Sequence, residues 1–184
     1  MTVPLHLTPM TPTDEMQVTQ QLGRVPRGVV GIAARTPDGV PEVVATAPRV
    51  DHGEPFPTTF YLTHPVLTRL VSRIEAAGEM AAYQERLADP QVKAAYEQAH
   101  RTYIAQRDVI GQMAGVGATP EISGVSAGGM PNRVKCLHAL VGHALASGPG
   151  VNPIGDAVLR RLWAEDTWKQ PGWECISDDK EITQ

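Results

Sequence analysis

Residues 128–156 read GGMPNRVKCLHALVGHALASGPGVNPIGD, and the fold turns on them. A glycine pair leads into an apolar-periodic run, which predicts a helix over 131–147. Gly148-Pro149-Gly150 ends it, and Asn152-Pro153-Ile154-Gly155-Asp156 opens another helix. At about 100° per residue, Leu137, Leu140, Val141, Ala144 and Leu145 form one stripe that must face a core. Cys136 and His143 flank one edge of that stripe and His138 the other. Gly142, Lys135, Ala146 and Ala139 fill the remaining arc. Three of these four are small, so another element can approach closely there.

The core that this helix needs lies upstream. Residues 29–34 (VVGIAA) and 42–47 (EVVATA) are apolar runs of strand length. Thr36-Pro37-Asp38-Gly39 between them is a turn signature, so the pair reads as an antiparallel hairpin. After a proline-rich loop over 48–57, residues 58–62 (TTFYL) are a third strand by β-branched and aromatic content. Thr63 is positioned as an N-cap, with Pro65 near the first helical position and Val66, Leu67, Leu70, Val71 and Ile74 at helical spacing. A further helix is expected over 80–87. A long one follows Asp89, with Glu97, Arg101 and Arg107 as its solvated face and Tyr96, Ala99, Tyr103 and Ile110 among its buried residues. Residues 111–129 form a long glycine-rich loop of the kind that is mobile or functional. The last helix is expected over 155–167. A short helix capped by Thr13 or Asp14 and ending near Leu22 precedes the strands.

A small antiparallel sheet of about three strands in the N-terminal half, followed by several helices that pack on it, is an α+β pattern. Residues 13–167 read as a single domain, 1–12 as a flexible arm and 168–184 as a tail. The chain has 184 residues, 42% of them hydrophobic and 20% charged, which is ordinary for a globular protein. A net charge of -4 gives no global attraction to nucleic acid. Two cysteines cannot build a disulfide framework. No signal peptide or membrane-spanning run is read, so a soluble cytoplasmic protein is expected.

Two chemistries fit the central stretch. One is a metal site drawing on His64, Cys136, His138 and His143, with Cys175 as a further outside donor. Cys136 and His143 share a face but lie roughly 10 Å apart along the axis, too far to share one ion on a straight helix. Ligands from outside the helix are therefore needed, and His64 at the end of the third strand is the best candidate. The other chemistry is anion binding. Gly128 and Gly129 run into a helix start that carries Arg133 and Lys135, and Asn152 and Asp156 repeat the theme. A helix-start field also lowers the pKa of Cys136, which opens a thiol nucleophile. Three functions remain in play. They are a protein that binds a metal ion or small anion, an enzyme acting on a phosphorylated small molecule, and an interaction module whose long helices dock a protein partner.

The blocks LGRVPRGVVGIAAR, APRVDHGEPFPTTFYLTHP and SAGGMPNRVKCLHALVGHALASGPGVNPIGD, in that order, resemble the bacterial domain of unknown function family 501. The resemblance spans residues 20–156. It implies a cytoplasmic bacterial protein with no assigned activity. It also implies that many relatives carry cysteine where this chain has Thr36 and His64, which with Cys136 resembles a metal or iron–sulfur ligand set. Thr36 cannot replace a thiolate and His64 is a harder ligand, so zinc is expected here ahead of an iron–sulfur cluster.

Overall fold

The computed structural model describes residues 5–50 and 53–174. Cys175, singled out above, lies outside the described residues. Three strands, β1 (Val29–Arg35), β2 (Pro41–Thr46) and β3 (Phe60–Leu62), form one antiparallel sheet in the order β1-β2-β3. The hairpin turn closes where proline and glycine were placed for it. Thr36 N–H donates to Val40 O at 2.9 Å, and the Thr36 hydroxyl accepts from Val40 N–H at 2.9 Å.

Both faces of the sheet are covered. Ala33, Val43, Ala45 and Phe60 join the large helical core, while Ile32 and Val44 pack with Val18 on the opposite face. Val18 belongs to α1 (Pro12–Leu22), so this first helix lies across the outer face. Coverage on both sides explains why Val43, Val44 and Ala45 of β2 are apolar in succession and do not alternate with polar residues. Thr8 shields the free edge of β1, exchanging two backbone hydrogen bonds with Ile32 at 2.8 and 3.0 Å.

Five helices follow: α2 (Pro65–Ala76), α3 (Met80–Glu85), α4 (Pro90–Met113), α5 (Leu137–Ser147) and α6 (Pro153–Ala164). The α5 helix is the centre of the molecule. Leu137 and every residue from Ala139 to Ala146 are buried, so it is wrapped on all sides and does not present a single stripe. Two glycines permit this. A Cβ on Gly142 would sit 3.0 Å from Phe60 O, and one on Gly155 would sit 2.3 Å from Leu140 O. The small residues thus let β3 press on one side of α5 and α6 on the other.

Several expected boundaries shift. The α5 helix begins at Leu137 and not at 131. Residues 128–136 form a folded turn in which Lys135 N–H reaches Gly128 O at 2.7 Å and Arg133 N–H reaches Gly129 O at 2.9 Å. Gly128 and Gly129 have φ of 67° and 94°, left-handed conformations that the turn requires. The cap of α1 is Thr11, whose hydroxyl and the Asp14 carboxylate form a capping box. Residue His64, not Thr63, occupies the N-cap position of α2. Asn152 caps α6 by accepting from Gly155 N–H at 3.0 Å. Arg107 is the largest departure. Expected on a solvated face, it is 1% exposed and donates to the carbonyls of Val125 and Ile122. The loop after α4 folds back over the helix and substitutes its carbonyls for water. Residues 168–173 also lie against the domain. Trp168 Nε1 donates to Glu42 at 3.1 Å, and Trp173 Nε1 to Asp156 at 2.6 Å.

Candidate functional site

Cys136 is the N-cap residue of α5, in extended conformation and half-buried. His138 stands in the first turn, two residues on. Facing them is α2, whose Thr68, Ser72 and Glu75 recur at spacings of four and three and so share one helix face. His138 Nε2 lies 3.1 Å from Thr68 O and 3.1 Å from Ser72 Oγ, and its Nδ1 lies 3.2 Å from Glu75 Oε2. The other carboxylate oxygen of Glu75 accepts from Leu137 N–H at 2.7 Å. Glu75, Cys136 and His138 each offer a ligand atom, and these atoms lie within 4.8 Å of one another. About a quarter of the Glu75 and His138 side chains stays open to solvent, so the cluster is reachable.

The electrostatics follow from the contacts. Thr68 O can only accept, so it fixes a proton on His138 Nε2, while the Glu75 carboxylate favours a second proton on Nδ1. His138 is accordingly pushed up to about 9, chiefly by the Cys136 side chain and with help from Glu75 and Thr68 O, against the opposing effect of burial. The same contact with His138 holds the Cys136 thiol below its ordinary value, although burial and Glu75 work against it. The cluster therefore sets a thiol of lowered proton affinity beside an imidazole of raised proton affinity, which a carboxylate braces.

The remaining sequence candidates lie elsewhere. His143 is fully buried, between Phe60 and Tyr103. Asn152 Oδ1 is committed to Gly155 N–H, so its amide nitrogen donates to His143 Nδ1 at 3.1 Å. That leaves the proton on Nε2, which donates to Gln106 Oε1 at 3.2 Å. Both ring nitrogens are occupied, and burial holds the group neutral, with its pKa down to about 3. His64 packs against Trp168 at 4.7 Å between ring centroids. It lines a shallow pocket with Thr36 and Asp38. Thr36 and His64 are thus neighbours, but Glu75 is eleven residues further along α2, roughly 16 Å of helix. The fold does not bring His64 to Cys136.

The expected anion site also rearranges. Arg133 and Lys135 are exposed residues of the turn that precedes the helix. The first free amide of α5 binds the chain's own Glu75 carboxylate, which supplies the negative charge that a helix start favours. Asn152 serves His143 and Gly155, while Asp156 accepts from Gly150 N–H at 2.8 Å and from Trp173. Glu75 is the residue that sequence reasoning missed. Its only signal was its place beside Thr68 and Ser72 on the border of the apolar face of α2.

No helix among the described residues is long and apolar enough to cross a membrane. No curated protein and no solved structure matches the chain. A family model does: that of the protein of unknown function DUF501 matches residues 32–160, and the chain belongs to this family.

Proposed function

We propose that the protein binds one zinc ion through Glu75, Cys136 and His138. The carrying observation is the donor set: a carboxylate, a thiol and an imidazole with ligand atoms within 4.8 Å of one another. Zinc takes sulfur, nitrogen and oxygen donors at about 2.0–2.3 Å, so small side-chain rotations suffice to close the three on one ion. The surrounding contacts support the reading. Thr68 O and Ser72 Oγ hold His138 Nε2, which leaves Nδ1 for the ion. Leu137 N–H holds Glu75 Oε1, which leaves Oε2. A single thiolate among harder donors suits zinc better than an iron–sulfur cluster. Three protein ligands leave a fourth tetrahedral position for water or a small anion. Titration of metal-free, untagged protein with zinc against a chromophoric chelator tests this. One ion binds per chain, and Glu75→Gln, Cys136→Ser and His138→Gln each weaken it at least about tenfold, or ~1.4 kcal/mol. His64→Gln leaves the affinity unchanged. Wild-type binding no tighter than that of Cys136→Ser refutes the proposal.

The contact between Cys136 and His138, which lowers the thiol's pKa, favours a second reading on the same atoms. Without metal, Cys136 is a nucleophile, His138 its proton partner and Glu75 the group that orients the ring. In that case iodoacetamide alkylates Cys136 at neutral pH at least about tenfold faster than in His138→Gln. An equal rate in the two proteins rules it out. A thiol of this kind belongs in a reducing compartment, and the cytoplasm is the location we propose.

A further inference from the structure

A second site lies on the other side of the sheet. The end of α1, residues of the 23–28 turn, and Ala47, Arg49, Val50, Glu54 and Phe56 after β2 line a cleft of ≈ 280 Å³. Its floor is the outer sheet face, with Val29, Val44 and Tyr61 contributing apolar surface. Gly28 seats Val50, which lines the cleft: its φ is 65°, and a Cβ there would lie 2.5 Å from Val50 Cγ2. Only glycine lets the loop settle this tightly on the start of β1.

Three arginines line this cleft, together with one carboxylate, Glu54, although the chain as a whole carries a net charge of -4. Arg49 is fixed, donating to Gly53 O at 2.7 Å and to Glu121 at 2.5 Å. Arg24 and Arg27 are exposed and make no ion pair or side-chain hydrogen bond among the described residues. Three cations against one lining carboxylate leave an excess of positive charge in the cleft, and a bound anion relieves their mutual repulsion. Beside them stands an aromatic shelf. Phe56 is 54% exposed, and its ring stacks on Tyr61 with centroids 6.3 Å apart and planes 16° from parallel.

We infer that this cleft binds a small phosphorylated ligand with a flat aromatic body, of the aryl phosphate or nucleoside monophosphate class. The Arg24 and Arg27 guanidiniums take the phosphate, whose oxygens match their paired N–H donors. The ring system lies on the Phe56–Tyr61 shelf and the apolar floor. A volume of ≈ 280 Å³ falls just under the usual range of ligand pockets, about 300–1,000 Å³, and sets a limit near one fused ring system plus phosphate. None of Glu75, Cys136 and His138 lines the cleft, so the two sites stand or fall separately.

The test is calorimetric titration of the full chain with 1-naphthyl phosphate, 1-naphthol and inorganic phosphate in turn. The aryl phosphate binds one per chain, and each of the other two binds at least about tenfold more weakly. The double substitution Arg24→Gln, Arg27→Gln lowers aryl phosphate affinity at least about tenfold with an unchanged melting temperature. Arg133→Gln with Lys135→Gln removes two charges that line no part of the cleft and leaves the affinity as it was. Absence of saturable binding overturns the inference. So does equal affinity for inorganic phosphate, or equal loss in the two double variants.

Discussion

Replacing His143 by glutamine removes one acid-sensitive component of stability, and its size can be worked out. His143 has no exposed surface, and burial lowers its pKa from the usual 6.5 to about 3. In the unfolded chain the imidazole gains a proton below about pH 6.5, while in the folded chain it stays neutral. The unfolded state therefore binds more protons between about pH 3 and 6.5, and stability falls as pH falls through that window. Each pH unit well inside it is worth ~1.4 kcal/mol, so moving from about pH 7.5 to about pH 4.5 costs about 2.7 kcal/mol from this group alone. Glu42 works in the opposite direction. Its pKa is pushed up to about 7 by burial, so its folded form holds a proton more tightly than the unfolded one and gains stability as the solution is acidified. Comparison with His143→Gln cancels that contribution. Glutamine can still accept from Asn152 and donate to Gln106, the two partners of the imidazole. Urea unfolding of both proteins at the two pH values is the assay. The expected result is a wild-type loss that exceeds the variant's by about 2–3 kcal/mol. A difference under about 0.5 kcal/mol means that His143 is not the buried neutral group inferred here.

Further outcomes follow from other contacts. Arg107→Met strips the carbonyls of Ile122 and Val125 of their buried donor. It should cost about 2–4 kcal/mol in urea unfolding and expose the 114–130 loop to limited proteolysis; wild-type cleavage rates would contradict this. Gly155→Ala places a Cβ against the Leu140 carbonyl and the Ala144 Cβ. A loss of about 1–3 kcal/mol or more, read by thermal melting, is expected because backbone cannot step aside. Zinc binding must displace the Nδ1 proton of His138, whose pKa is about 9. The apparent affinity should thus rise about tenfold per pH unit up to that value, with the proton release seen as a calorimetric dependence on buffer ionisation enthalpy. A flat pH profile in His138-containing protein removes the histidine from the ligand set.

The elements were legible wherever the signal is local. The Thr36-Pro37-Asp38-Gly39 turn needs only its own residues to reverse the chain, and the runs around it are apolar enough to be strands in any context that covers both faces. Asp89 and Pro90 start α4 by capping chemistry that operates within one turn. Arg107 could not be placed this way. Its helical position borders the buried face, and whether it meets water or carbonyls depends on where a glycine-rich loop returns. The start of α5 was misplaced for a related reason. Apolar spacing carries back to 131, but the turn around Gly128 and Gly129 takes the amides of Arg133 and Lys135 for its own carbonyls.

Of the candidate site, the sequence by itself determined Cys136 and His138, two capable side chains beside a helix start. It also determined the strands that form the floor of the second cleft, whereas Arg24 and Arg27 carried no signal of a site. Only the tertiary structure decided that Glu75 completes the first group, because Leu137 and Glu75 meet across 62 residues of chain. It decided as well that His64 stands at the far end of α2 and that His143 is sealed between Gln106 and Asn152. The physical reason is the same in each case. Secondary structure is fixed by spacing along the chain, whereas charge, proton affinity and ligand geometry are fixed by whichever groups packing brings within a few ångströms.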